Sequence, residues 1–193
     1  MARCYATTSA AEESVSVLED LDAAGFELRK SELDMDGGKR CLRWLANLHA
    51  RFMGMKPEGL WQTGSYWHFE TRPDELAAMA EGDLKNYAVA IDQRLTNCNY
   101  QTLVHGDAKV DNFCFSSDGL AVAAVDFQYV GGGCCMKDVA YFISSCLNET
   151  DCERYEIMLL DYYFSELGEA LKLSQCSIDI AAVEQEWRPR DCS

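Results

Sequence analysis

The sequence predicts a mainly helical α+β chain with one short β-hairpin set into its middle. Three observations carry this. Apolar residues recur at three- and four-residue steps over several long stretches. Two brief β-like runs flank Ser116-Ser-Asp-Gly119, a hairpin signal. The composition is that of a packed chain, 48% hydrophobic and 25% charged, and 193 residues suit one domain of ordinary size.

Taken in order, residues 1–14 read as a ragged end. Val15 to Leu18 is β-like and runs into the turn Glu19-Asp20-Leu21-Asp22. Over 38–53 the residues Leu42, Leu45, Ala46, His49 and Phe52 fall on one helical face, so His49 reads as a hydrogen-bonded core histidine. Residues 54–72 carry Gly54, Pro57, Gly59 and Gly64 and form a loop packed down by Trp61, Tyr66, Trp67 and Phe69. Pro73 opens a helix at its first turn. Leu84, Ala88, Ile91 and Leu95 stripe the next one. Thr102 to Val104 is a buried strand; Asn112–Phe115 and Leu120–Val125 are the hairpin strands; a glycine run follows at 131–133. Helices over about 137–147, 151–171 and 178–187 close the chain. From Asn148 onward eleven acids face four bases, which makes this end a solvated acidic surface.

Charge and cysteine usage narrow the function. Lys plus Arg is 17 against 32 for Asp plus Glu, a net charge of −15. Such a surface argues against nucleic acid and anionic lipid as partners. No apolar run approaches the ~18 residues of a membrane span. A phosphate ligand stays open, because backbone N–H groups and a cation reverse the sign within a cleft. The ten cysteines include no C-x-x-C, Cys134 and Cys135 are adjacent, and the three histidines are scattered. Free thiols in a reducing compartment fit this better than disulfides or zinc. The N-terminus has no signal-peptide core, and Glu12 and Glu13 disfavour a transit peptide, so the expected location is cytoplasmic.

The chemistry sits around the hairpin. His105-Gly106-Asp107-Ala-Lys109-Val-Asp111-Asn112 stands before it and Val125-Asp126-Phe127-Gln128 after it. A turn centred on Ser117 and Asp118 places Asn112 near Ala123 and Asp126 near Lys109. The fold-back brings Asp107, Asn112 and Asp126 to one end of the ribbon. Two carboxylates and an amide oxygen are hard ligands, suited to Mg²⁺ shared with phosphates. Phosphoryl transfer needs this set: one carboxylate to receive the acceptor hydroxyl and another to hold the metal. Asp107 to Asn112 has the D-x-x-x-x-N spacing of a kinase catalytic loop.

L-V-H-G-D-A-K-V-D-N-F, A-V-D-F-Q-Y-V-G-G-G and K-D-V-A-Y-F together resemble the aminoglycoside phosphotransferase and choline kinase-like group, nearest to ecdysteroid-kinase-like (CHK kinase-like) proteins. The resemblance extends over roughly 15–188 and implies a protein-kinase-like fold. It implies Asp107 as catalytic base, Asn112 and Asp126 as Mg²⁺ ligands, His105 as a loop brace and Asp138 as a buried structural acid. It implies ATP as phosphoryl donor, its adenine received by hinge backbone at Glu19, Asp20 and Leu21, and a small-molecule hydroxyl as acceptor. Lys109, two residues after the base, is placed to touch the transferred group. Gln128 stands where protein kinases keep the glycine of D-F-G.

The sequence also departs from that pattern. A kinase's other lobe supplies a Gly-rich loop, a strand lysine and a helix glutamate. The first 14 residues here contain no G-x-G-x-x-G and no lysine. The glycine run follows the metal aspartate and lies on the wrong side of the cleft. The expected organisation is therefore a ragged segment (1–14), a hinge-strand remnant (15–22), a kinase-like C-terminal lobe (23–188) and a tail (189–193), with the kinase incomplete as this chain. An inactive remnant serving as a binding or scaffold module is the alternative. An Mg²⁺ hydrolase with Asp107 as nucleophile is a third reading, which the D-x-x-x-x-N loop disfavours. Trp61 and Trp67 either line a substrate pocket or pack their loop.

Overall fold

Two long helices carry the core. Helix α1 (Met35–Phe52) starts behind Asp34, whose Oδ1 accepts the Gly37 N–H at 2.7 Å. Its buried stripe includes Cys41, Leu42, Leu45, Ala46 and His49, so the face read from the sequence is the one that packs. The fifth helix in the chain, α5 (Glu149–Leu173), lies along it and buries Leu159, Tyr163, Phe164, Leu167 and Leu171 in the same core. Each such leucine contributes about 1.5–3 kcal/mol by leaving water. At the rim Arg43 grips Glu166 with two bonds of 2.9 and 3.0 Å, which hold its guanidinium above its ordinary pKa. The structure, a computed structural model, describes residues 1–10, 13–65, 68–69 and 71–188. Ala11, Glu12, Tyr66, Trp67, Glu70 and the tail 189–193 lie outside the described residues.

The remaining helices follow the expected order. Helix α2 (Pro73–Ala78) has proline at its first turn, and α3 (Asp83–Thr96) buries Ala88 alone. Helix α4 (Cys135–Cys146) adds Val139 and Phe142 to the core. Helix α6 (Ile180–Trp187) starts at Asp179, which caps Ala181, and inserts Val183. Among the described residues no helix is long and apolar enough to cross a membrane. The cysteines described are free, and burial pushes the Cys41 thiol far up, away from reactivity.

Three small sheets complete the molecule. Strands β1 (Cys4–Ala10) and β2 (Glu13–Leu18) pair antiparallel; β3 (Leu28–Arg29), β5 (Phe113–Phe115) and β6 (Val122–Ala124) form a second sheet in that order; β4 (Gln101–Val104) pairs with β7 (Gly131–Cys134).

Three details correct the reading from sequence. Residues 4–10 form a strand instead of a ragged end. Every residue of β1 and β2 is exposed, so there is no core-facing alternation to read. The hairpin register is two residues further on than expected: Phe113 faces Ala124, and the Val125 N–H donates to the Asn112 carbonyl at 3.0 Å. Asp126 is thus level with Asp111, not Lys109. The cause is the loop, which Asp118 Oδ1 ties to Ser116 Oγ (2.6 Å) and to the Leu120 N–H (2.9 Å). A shift of two leaves every side chain on its expected face. Finally, the glycine run is a strand. A Cβ at Gly131 would collide with the Trp61 carbonyl, and one at Gly132 would meet Gln62 and Pro57, so glycine is required where the 57–64 loop lies against β7.

Candidate active site

Strand β4 delivers His105-Gly106-Asp107 to the end of the β5–β6 hairpin. Thr102, Leu103 and Val104 are buried, and Thr102 Oγ1 donates to the His49 carbonyl at 2.8 Å. Where the strand ends, Asp138 from the first turn of α4 accepts the His105 N–H at 2.6 Å and the Gly106 N–H at 3.0 Å. The same carboxylate meets His49 Nε2 at 3.1 Å, and His49 Nδ1 lies 2.9 Å from the Tyr163 hydroxyl. Gly106 has φ +83°, and a Cβ there would collide with the Tyr129 carbonyl. Only glycine turns the chain here.

His105 is buried, and its partners fix its tautomer. Nδ1 accepts the Asp107 N–H at 3.3 Å, so Nε2 carries the hydrogen and donates to the Val125 carbonyl at 2.9 Å. That bond ties the loop before the hairpin to the strand after it. Phe127 packs against the imidazole with ring centroids 4.6 Å apart and the ring planes tilted by 42°.

Asp107 is 2% exposed. Asn112 Nδ2 donates to its carbonyl at 2.7 Å and to Oδ2 at 3.0 Å. Lys109 Nζ lies 3.3 Å from the same Oδ2. Desolvation opposes the Lys109 charge, but attraction to Asp107, joined by Tyr141 and Asp111, outweighs it and holds the ammonium above its ordinary pKa. The other oxygen, Oδ1, is buried with no hydrogen-bond partner among the described residues.

Asp126 follows Val125 with φ 62°, a left-handed conformation that aspartate tolerates better than most residues. Its carboxylate is exposed, with Gln128 Nε2 3.5 Å from Oδ2. The amide oxygen of Asn112, on the branch opposite the nitrogen that holds Asp107, and the Asp126 carboxylate are two hard oxygen donors. Among the described residues no three of His, Cys, Asp and Glu cluster as a metal site. Two donors nonetheless fit Mg²⁺, which keeps waters and takes substrate phosphates in place of an all-protein cage.

Glu19, Asp20 and Leu21, expected to receive the adenine, have their packing and backbone bonds elsewhere. Leu21 packs on Cys114 and Ala123 of the hairpin. The Glu19 N–H donates to the Arg3 carbonyl (2.8 Å), and the Asp20 and Leu21 carbonyls accept from Ala24 (3.0 Å) and Phe26 (2.8 Å).

A cavity of about 780 Å³ opens against Gly106. Gly64, Leu84, Ile91, Met136 and Tyr141 are among its lining residues, which are mostly apolar, with Lys137, Asp92 and Glu156 also present. A slightly larger cavity, about 870 Å³, lies between α3 and α6 and touches none of the residues just described.

A family model described as ecdysteroid kinase-like matches residues 1–69 and 62–176. The chain belongs to the ecdysteroid kinase-like family. None of the curated proteins matches it. Among solved structures it is similar to aminoglycoside phosphotransferase APH(3'')-Id from Streptomyces rimosus, with a TM-score of 0.55 at 14% identity, covering 97% of this chain and 75% of that one. At that identity the likeness establishes the fold, which is the α+β kinase-like fold expected from the sequence. Family and fold together place the chain among kinase-like phosphotransferases.

In this ecdysteroid kinase-like chain the structure brings Asp107, Lys109 and Asn112 into one cluster. Through His105 and Val125 it fixes the backbone of Asp126 beside them. Sequence reasoning missed Ser145, whose Oγ accepts the Val110 N–H at 3.1 Å and pins the 105–112 loop to α4. Its signal was available: Asp138, Phe142 and Ser145 share one helical face.

Proposed function

We propose that the chain is a small-molecule kinase that moves the γ-phosphoryl of ATP to a hydroxyl with Mg²⁺. One observation carries this: the buried Asp107 carboxylate has Oδ2 held by Asn112 and Lys109 while Oδ1 has no partner among the described residues. An unsatisfied buried acceptor costs about 1–3 kcal/mol, so its natural complement is a donor brought by a ligand. An acceptor hydroxyl donates to Oδ1, is aimed by it, and passes its proton there as its bond to phosphorus forms and the bond to the ADP oxygen breaks. Lys109 Nζ lies 3.3 Å from Asp107 Oδ2 and faces negative charge at the transferred group. Asn112 and Asp126 would hold Mg²⁺, which supplies charge neutralisation on the phosphates.

The mainly apolar cavity beside Gly106 supports an acceptor with a large apolar body, as the family's name suggests, over a polycation drawn by the acidic surface. ADP release with hydroxylated steroids as acceptors tests the reading. Turnover lost in Asp107→Asn supports it, and turnover retained there removes the base.

A second reading, a non-catalytic binding module, is favoured by the hinge groups already engaged within the chain. MgATP separates the two. A nucleotide site raises the melting temperature by mass action, and a remnant does not respond.

A further inference from the structure

The glycine run and the exposed Trp61 are unexplained by the chemistry above, and they meet. The 57–64 loop lies as a strap across β7. The Trp61 N–H donates to the Val130 carbonyl (3.4 Å), the Gly132 N–H to the Trp61 carbonyl (3.0 Å), and the Gly64 N–H to the Gly132 carbonyl (2.8 Å). The Trp61 side chain gains little by burial, since the residue is 60% exposed. Its indole instead donates from Nε1 to the Gln128 carbonyl at 2.8 Å. Gln128 belongs to the turn 126–130, closed by the Val130 N–H to the Phe127 carbonyl at 3.1 Å. That turn begins at Asp126 in its left-handed conformation, and its Tyr129 backbone abuts Gly106 of the catalytic loop. A strained residue persists only where its surroundings over-determine it.

We infer that Trp61 is a positioning residue: its indole N–H clamps the turn after Asp126, holding that carboxylate where it and Asn112 serve one divalent cation. This rests on the metal reading of the proposed function. Trp61 touches neither substrate nor cation. It acts through the Gln128 carbonyl, and the glycines of β7 exist to admit the strap that carries it. Outer-shell groups of this kind typically change metal affinity by about ten- to a hundredfold, and one acting through a backbone carbonyl is expected near the bottom of that range.

Trp61→Phe keeps an aromatic ring and every backbone bond of the strap and removes the indole N–H. Mn²⁺ binding in the presence of ADP, read by the electron paramagnetic resonance of the free ion, is compared in wild type, Trp61→Phe and Asp126→Asn. Amide exchange of the 126–131 peptide is measured by mass spectrometry. The expected result for Trp61→Phe is Mn²⁺ affinity down about tenfold, faster exchange confined to 126–131, and an unchanged melting temperature. Unchanged affinity, or unchanged exchange, with wild type binding and Asp126→Asn not binding, overturns the clamp and leaves the metal reading intact. Wild type and Asp126→Asn binding alike, or neither binding, overturns the metal reading, and the clamp's purpose goes with it.

Discussion

The backbone nitrogen of His105 lies 2.6 Å from Asp138 Oδ2, so a helix carboxylate on α4 sets where the 105–112 loop begins. Three hydrogens converge on that carboxylate, from His105, Gly106 and His49, and the group is 1% exposed. All three partners donate. Asp138→Asn keeps the shape but turns an NH₂ toward at least one of them, leaving a buried donor unmet and removing the charge. Its expected cost is about 3 kcal/mol, within the range for breaking a buried polar network. Urea unfolding followed by circular dichroism checks this. A midpoint equal to wild type would mean that the loop is anchored elsewhere.

For Asp107 the expectation is the opposite division between activity and stability. Its Oδ1 meets no donor among the described residues, and Oδ2 has a half-exposed lysine as one partner. Asp107→Asn should lower turnover by about 10³-fold, the scale of general-base catalysis. The melting temperature should stay within about 3 °C of wild type, corresponding to less than 1 kcal/mol at this size. ADP release and a thermal melt on the same preparation read both quantities.

Lys109 makes a prediction on the alkaline side. Its folded-state pKa is raised by Asp107, against partial desolvation. A raised lysine pKa stabilises the fold fully below the ordinary value, about 10.4, and the contribution fades as pH climbs through the raised value. Wild type should therefore exceed Lys109→Met in urea midpoint at pH 8, and the gap should narrow by pH 11. A gap that widens with pH would contradict the pairing with Asp107.

Much of this site is legible in the residues because its logic is local. His105 to Asn112 is one turn of chain with fixed spacing, and Asp126 is brought back by a hairpin whose turn residues are explicit. The register error left the cluster intact because an even shift preserves the faces. What could not be read depends on distant partners. The strand identity of Gly131 to Gly133 comes from the loop that lies on it, not from the β-propensity of glycine, which is poor. Among the described residues strands β1 and β2 pair only with each other, and all of their residues are exposed, so no hydrophobic alternation marks β1. The loop brace at Ser145 and the indole bond from Trp61 are single long-range contacts, separated from their partners by 35 and 67 residues.

Two glycines give a final prediction with opposite signs. Gly38 lies inside α1, and a Cβ there meets nothing within 4 Å. Gly38→Ala fills open space and removes unfolded-chain freedom, so it should stabilise by about 0.5–1 kcal/mol. Gly131 lies in β7, where a Cβ would collide with the Trp61 carbonyl and lie 2.9 Å from the Gly64 Cα. Both are backbone atoms and cannot rotate away, so Gly131→Ala has to push the 57–64 strap off the strand. A cost of about 1–3 kcal/mol is expected, as for overpacking, together with faster amide exchange at Trp61 and Gly64, whose bonds to Val130 and Gly132 break. Thermal melts of the two variants beside wild type check the order. If Gly131→Ala melted at or above wild type, the strap would not be seated on the glycine run.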